Sequence, residues 1–159
     1  MKLQFIFGCI VFLYLNVAGA GPYFSDSASG YAKQKIVHRL QIKKISDLDF
    51  GEASPGDAAK SIAPGSSENR ENASFEVAGE PRRSYQIILP QKNSVKLVTG
   101  AGGPHREILI EDFKSSPAKV GVLDGNGKGM VFVGATREAL SSRLKTGDYL
   151  GQFYVTVVY

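Results

Sequence analysis

Apolar residues along most of this chain recur at every second position, the spacing of a strand that buries one face and shows the other to water. The cleanest case is "GDYLGQFYVTVVY", Gly147 to Tyr159. One face carries Tyr149, Gly151, Phe153, Val155, Val157 and Tyr159, and the other carries Leu150, Gln152, Tyr154, Thr156 and Val158. The same alternation puts Ile36, His38, Leu40 and Ile42 on one face of "KIVHRLQIKKI", Phe75 and Val77 inward in "SFEVAG", and Tyr85, Ile87 and Leu89 inward in "SYQIIL". Further strands are predicted over 95–98, 107–113, 120–123, 130–133 and 135–141, each bounded by Gly, Pro, Asn or Ser.

Punctuation by 18 glycines and 7 prolines at this spacing fits an all-β sandwich or barrel of roughly seven to nine strands. Leu140 and Leu144 stand four apart in "TREALSSRLK", Thr136 to Lys145, and allow a helix there, although the surroundings favour strand and loop. The stretch 53–72 is polar and rich in turn formers, with Ile62 its single large apolar residue; it predicts an exposed loop with one short strand near Ile62.

The start of the chain changes the picture of compartment. Met1 and Lys2 precede an apolar run, Leu3 to Val17, and the small residues Ala18 and Ala20 come three and one positions before a cut between Ala20 and Gly21. This is the pattern of a secretory signal peptide, 1–20. The run is shorter than the roughly 20 residues of a membrane span, which leaves an uncleaved anchor as the lesser alternative and predicts no membrane span after cleavage. Cys9 loosely fits a lipidation box, but the apolar run continues well past it. Cleavage removes Cys9, the single cysteine, so no disulfide or thiol chemistry is expected in the mature chain.

About 139 residues then remain, enough for one ordinary core; residues 21–34 read as a flexible lead and 35–159 as one domain. Losing Lys2 lowers the formal net charge from +4 to +3. Lys33, Lys35, Arg39, Lys43 and Lys44 cluster without an acid between them. Because they fall within a strand pattern on an exported chain, they suggest a solvated or edge-protecting face and no nucleic-acid partner.

Chemistry is sparse. His38 and His105 lie in no zinc spacing and beside no nucleophile, so no metal site is expected. "LDGNGKG", Leu123 to Gly129, starts like a calcium loop, yet Lys128 and Ala135 stand where ligands should be; a hairpin turn fits better. "TGAGGPHRE", Thr99 to Glu107, lies between strands and opens no helix, so it reads as a surface loop and not an anion cradle. Glu111 and Asp112 point to opposite faces of a strand, the wrong arrangement for paired acid and base. "NAS" at Asn72 fits a glycosylation acceptor. No catalytic residue and no cofactor site is expected, and an enzyme is the least favoured class.

The order "DLDFG" (Asp47 to Gly51), "ASFEVAGEPRRSYQIILP" (Ala73 to Pro90), "VGA" (Val133 to Ala135) and the terminal stretch resembles a bacterial exported domain family of unknown function. The positions that carry the resemblance are Leu48, Phe50, Gly51, Phe75, Gly79, Pro81, Tyr85, Gly134, Gly147, Tyr149, Gly151 and Tyr159. The terminal strand is also similar to those of spore coat protein U domains and of pilus subunits assembled by a chaperone and an usher. The resemblance implies an immunoglobulin-like β-sandwich and a structural subunit of the cell envelope, and it transfers no catalytic residue.

Independently of the resemblance, Gly51 allows a sharp turn after a buried Phe50, Gly79 to Pro81 end one strand, and Tyr149 suits a tyrosine corner with its hydroxyl on nearby backbone. Two functional classes follow. One is a non-enzymatic fimbria-like or coat-like subunit joined to an assembly chaperone or neighbouring subunit by strand addition. The other is a self-contained periplasmic or secreted module that contacts a glycan or envelope protein through loops 53–72 and 99–106. Periplasm, cell surface and the extracellular space are all open to an exported chain. Gly21 to Gln34 is a poor donor strand, so the isolated domain is expected to be complete, with its N-terminal strand in its own sheet and no open apolar groove.

Overall fold

A computed structural model describes residues 26–65 and 69–159; the proposed leader and its cleavage site at Ala20 and Gly21 lie outside the described residues. Residues 26–34 are exposed and form no strand. The compact unit is Lys35–Tyr159. Its described residues form nine strands and no helix: β1 Gln41–Ser46, β2 Lys60–Ser61, β3 Ala73–Ala78, β4 Ser84–Ile88, β5 Val95–Val98, β6 Glu107–Ser116, β7 Val120–Val122, β8 Lys128–Arg137 and β9 Thr156–Val158.

They make a β-sandwich of two antiparallel sheets. The larger runs β1-β3-β8-β6-β5, with β2 also paired to β8; the smaller runs β7-β4-β9. Alternation built both. Val77, Tyr85, Ile87, Val131 and Val133 are buried at two-residue spacing, facing one another across the layers. In β6 the phase changes midway: Ile108 and Ile110 are inward before a register shift between Glu111 and Lys114, and Phe113 and Ser115 are inward after it. Asp112 takes a positive φ of 49° within this bulge, which supplies the extra residue that moves the face by one.

Two clusters fill the interior. Ala73, Val77, Tyr85, Ile87, Leu123, Val131 and Val133 pack between the sheets. Phe50, Ile62, Val95, Ile108, Ile110, Ala135 and Leu140 form the second cluster, which draws nothing from β4, β7 or β9. The large sheet therefore extends beyond the small one, and its overhang is covered by segments around Phe50 and Leu140 instead of a strand.

Several expectations are corrected. The first strand begins at Gln41, not near Ile36: Ile36 is 88 % exposed, and only Leu40 and Ile42 pack against the core. His38 does not sit on an apolar face. Its side chain is exposed, with Nδ1 3.2 Å from Glu80 Oε2, and its backbone N–H donates to the same oxygen at 3.0 Å. The 130–133 and 135–141 strands are one strand, β8, ending at Arg137, and no helix follows. Asn72 is fully buried, with Oδ1 accepting from Gly65 N–H and Nδ2 donating to Ala73 O, so it cannot serve as a glycan acceptor in the folded domain.

The turn over 123–129 is not a hairpin within one ladder, because β7 and β8 belong to different sheets. Asp124 organises it: Oδ1 accepts the backbone N–H of Asn126 and of Lys128, each at 2.8 Å. Those two donors, Lys128 first, hold the Asp124 carboxyl below its ordinary range. A carboxyl depressed by folding contributes stability that is present above its unfolded value, about 4, and is lost as pH falls through the lower folded value. Asp124→Asn should therefore have a lower Tm than wild type at pH 7, with a smaller fall between pH 5 and pH 2.5. Parallel slopes in a thermal melt series would refute this.

Candidate assembly groove

The terminal stretch changes sheets. Leu150 exchanges two backbone hydrogen bonds with Val98 of β5, at 2.9 and 3.0 Å, on the large sheet. Further on, Ile87 of β4 pairs with Val157, placing β9 in the small sheet. Between them, among the described residues, no hydrogen bond involves the backbone of Gly151–Val155. Phe153 anchors this crossing inward, with its ring edge-on to Phe75 at 6.3 Å and tilted against Phe113 at 5.3 Å.

One end of the sandwich is closed. The Tyr159 hydroxyl accepts from Glu80 N–H at 2.6 Å and donates to His38 O at 3.3 Å, while Arg83 lies over its ring at 3.9 Å. Gly79 makes room for it, since a Cβ there would collide with the Tyr159 hydroxyl and press on Leu123 and Leu40. Glu80, clasped by the His38 backbone N–H and ring, has its carboxyl held below the ordinary range. Tyr85 and the exposed Pro81 also belong to this half.

The other end is open. A groove of about 940 Å³ runs between Asp47–Ala53 and Thr146–Gly151, floored by Leu97 and Ile108. A smaller recess of about 300 Å³ continues it between Lys44–Asp47 of the β1 side and Gly151–Tyr154. Polar and apolar groups share both concavities: Asp47, Asp49, Lys145 and Asp148 stand beside Leu97, Ile108 and Phe153 in the larger, and Lys44, Ser46, Asp47 and Gln152 join Phe75 and Phe153 in the smaller. Leu48, Phe50, Gly51, Gly147, Tyr149 and Gly151, from two distant parts of the sequence, all line the larger.

Gly51 turns at a φ of 68° after the buried Phe50. The Tyr149 hydroxyl donates to Lys145 O at 2.6 Å, fixing the turn that enters the terminal stretch. Gly151 lies close against β5, where a Cβ would strike Lys96 O. Phe75 sits below Phe153, and Gly134 lies in β8 against the Ile62–Pro64 backbone.

Sequence reasoning missed Phe153 as the anchor of the crossing, Leu140 and Leu144 as groove wall, and Arg137 at its inner end. The last had a signal: Val131, Val133, Ala135 and Arg137 keep two-residue spacing. Charge of both signs marks the rim: Asp47, Asp49, Glu52 and Asp148 stand beside Lys145, and Asp47 is paired with Lys44 at 2.7 Å. Among the described residues, no three of His, Cys, Asp and Glu gather as a metal ligand set.

Fold and groove together define a β-sandwich domain whose terminal segment, among the described residues, leaves part of its backbone unpaired beside an opening of mixed polar and apolar lining. Residues 40–159 match the domain of unknown function DUF4402, and the chain belongs to that family. No curated protein and no solved structure matches the chain.

Proposed function

We propose that this chain is a non-enzymatic, exported structural or assembly subunit of the bacterial cell envelope, joined to a neighbouring subunit or an assembly chaperone by β-strand addition. The supporting observation is the free backbone of Gly151–Val155 beside the groove. An unpaired edge beside a recess is what an incoming strand needs: the backbone supplies the ladder, and the recess, with Phe75 and Phe153 among polar neighbours, takes alternate side chains. The likeness of the terminal stretch to pilus subunits and spore coat domains agrees with this reading.

The β1 edge of the large sheet is a poorer candidate, because Lys43 and Lys44 are exposed there and charge discourages pairing.

Gln152→Pro tests the proposal. It removes one N–H from the free edge without removing any intramolecular hydrogen bond described for that residue's backbone, so folding should survive. The chain from Gly21 onward should show concentration-dependent oligomers by light scattering, with slowed amide exchange over 151–155; Gln152→Pro should be a folded monomer. A wild-type chain that stays monomeric at high concentration, alone and with envelope extract, and exchanges these amides freely would refute strand addition.

A further inference from the structure

The two outward faces of the sandwich differ in charge. On the large sheet Lys43 lies opposite Glu76 in the ladder, and Lys96 and Lys128 form ion pairs with Glu107 and Glu76. On the small sheet the outward residues of β4, β7 and β9 are hydroxyl, amide or aliphatic, and none is charged. Gln86 sits between Val120 and Val158 in register, with Val122 and Ile88 beside that row. Val120, Val122 and Ile88 are 54, 64 and 51 % exposed, and Tyr154, just before β9, is 76 % exposed. Clustered apolar side chains on a solvent face without charge mark a contact surface.

The charges at the ends of this sheet specify the partner. Lys119 O accepts from Ile87 N–H at one end of the β4–β7 ladder. At the other, Arg83 O accepts from Leu123 N–H, and Arg82 N–H donates to Asp124 O. Lys119, Arg82 and Arg83 are exposed, and among the described residues none of them is in an ion pair. Two acids stand near the Arg82 end: Glu80 is held by Lys35 and His38, and Asp124 Oδ1 is bound to two backbone N–H groups. A second copy stacked on this face would set cation against cation in either orientation. A sheet of anionic lipid headgroups complements both features, because aliphatic side chains enter the headgroup boundary while Lys and Arg meet phosphate. The amphipathic ring of Tyr154 suits the same boundary.

We propose that the outward face of β4, β7 and β9 docks on the surface of an anionic phospholipid bilayer. Val120, Val122 and Ile88 rest at the acyl boundary, and Lys119, Arg82 and Arg83 take the headgroup phosphates. The contact is peripheral, uses no part of the groove, goes beyond the strand-addition reading and does not require it.

Co-sedimentation of the chain from Gly21 onward tests this, with vesicles of phosphatidylglycerol and phosphatidylcholine in equal parts and of phosphatidylcholine alone. Binding should be at least about fivefold tighter to the anionic vesicles and should weaken several-fold between about 0.1 and 0.5 M NaCl. Val120→Thr combined with Val122→Thr keeps β-branched residues in the strand, so Tm should hold within about 2 °C while affinity falls roughly fivefold. Lys119→Gln should also lose roughly fivefold and provides the measurement if the valine variant does not fold. Met130→Gln, which removes an exposed apolar side chain from the large sheet, should bind as wild type does.

No vesicle binding, or equal binding to both compositions, would overturn the proposal. Full binding by the valine variant would do the same, since charge attraction alone would then account for it. A wild-type dimer that the valine change dissolves, with vesicles left unbound, would assign the face to a second copy instead. Gln152→Pro should sediment with anionic vesicles as wild type does, so the docking surface is tested independently of strand addition.

Discussion

Gly134→Val will lower the stability of the domain by about 3 kcal/mol or more, the upper range for forcing atoms into a filled site. A Cβ at Gly134 would run into Ile62 O and come within 2.7 Å of Pro64 N and 2.8 Å of Ala63 C. All three are backbone atoms, which cannot rotate away as a side-chain tip can. Nor can β8 retreat, since it pairs with β3, β6 and β2. Gly125→Ala is the control: nothing lies within 4 Å of its added Cβ, and the change should stay within about 0.5 kcal/mol. Urea unfolding of both variants measures the contrast, and equal midpoints would refute the packing described for β8.

Deleting Tyr154–Tyr159 will abolish cooperative folding. The cut removes β9 and leaves β4 with β7 as its one partner, a ladder that pairs Ser84–Gln86 with Val120–Val122. Val155 and Val157 leave the core cluster beside Tyr85 and Ile87, an apolar loss of roughly 2–4 kcal/mol before any cavity term. The Tyr159 clasp goes with them. Native domains of this size are stable by only about 5–15 kcal/mol in total, and the lost ladder adds to the apolar loss. Circular dichroism melting and amide exchange provide the check. A soluble truncated chain with a sharp transition would mean that the small sheet does not depend on β9.

The all-β fold and most strands were legible because side-chain alternation reports directly which face is buried. Val95–Val98 coincides with β5, and Tyr85, Ile87 and Leu89 turn inward as their spacing requires. The errors share a cause: alternation says nothing about backbone partners. In β1, Gln41 pairs with Ala78, and the chain then turns away at Gly79 and Glu80, so no ladder remains for Ile36–Arg39 whatever their pattern. The terminal stretch alternates from end to end, yet its hydrogen bonds go to one sheet, then to none, then to the other. The open groove was hidden for the same reason. One long strand looked like two because Gly134 was read as a boundary, whereas in β8 it is the close-packing point against Ile62–Pro64; Arg137 escaped notice because a charge at an inward position breaks the apolar pattern.

Leu48, Phe113 and Phe153 are the three partly buried side chains that pack against both core clusters. The two halves of the interior are thus coupled through a narrow waist. Substitutions on opposite sides of it should combine nearly additively, whereas one at Phe153 should shift the effect of a substitution in either half. How cooperatively the two halves unfold should therefore depend in part on a ring carried by a segment for which no backbone hydrogen bond is described. Anything that grips that segment also tunes how firmly the two halves melt together.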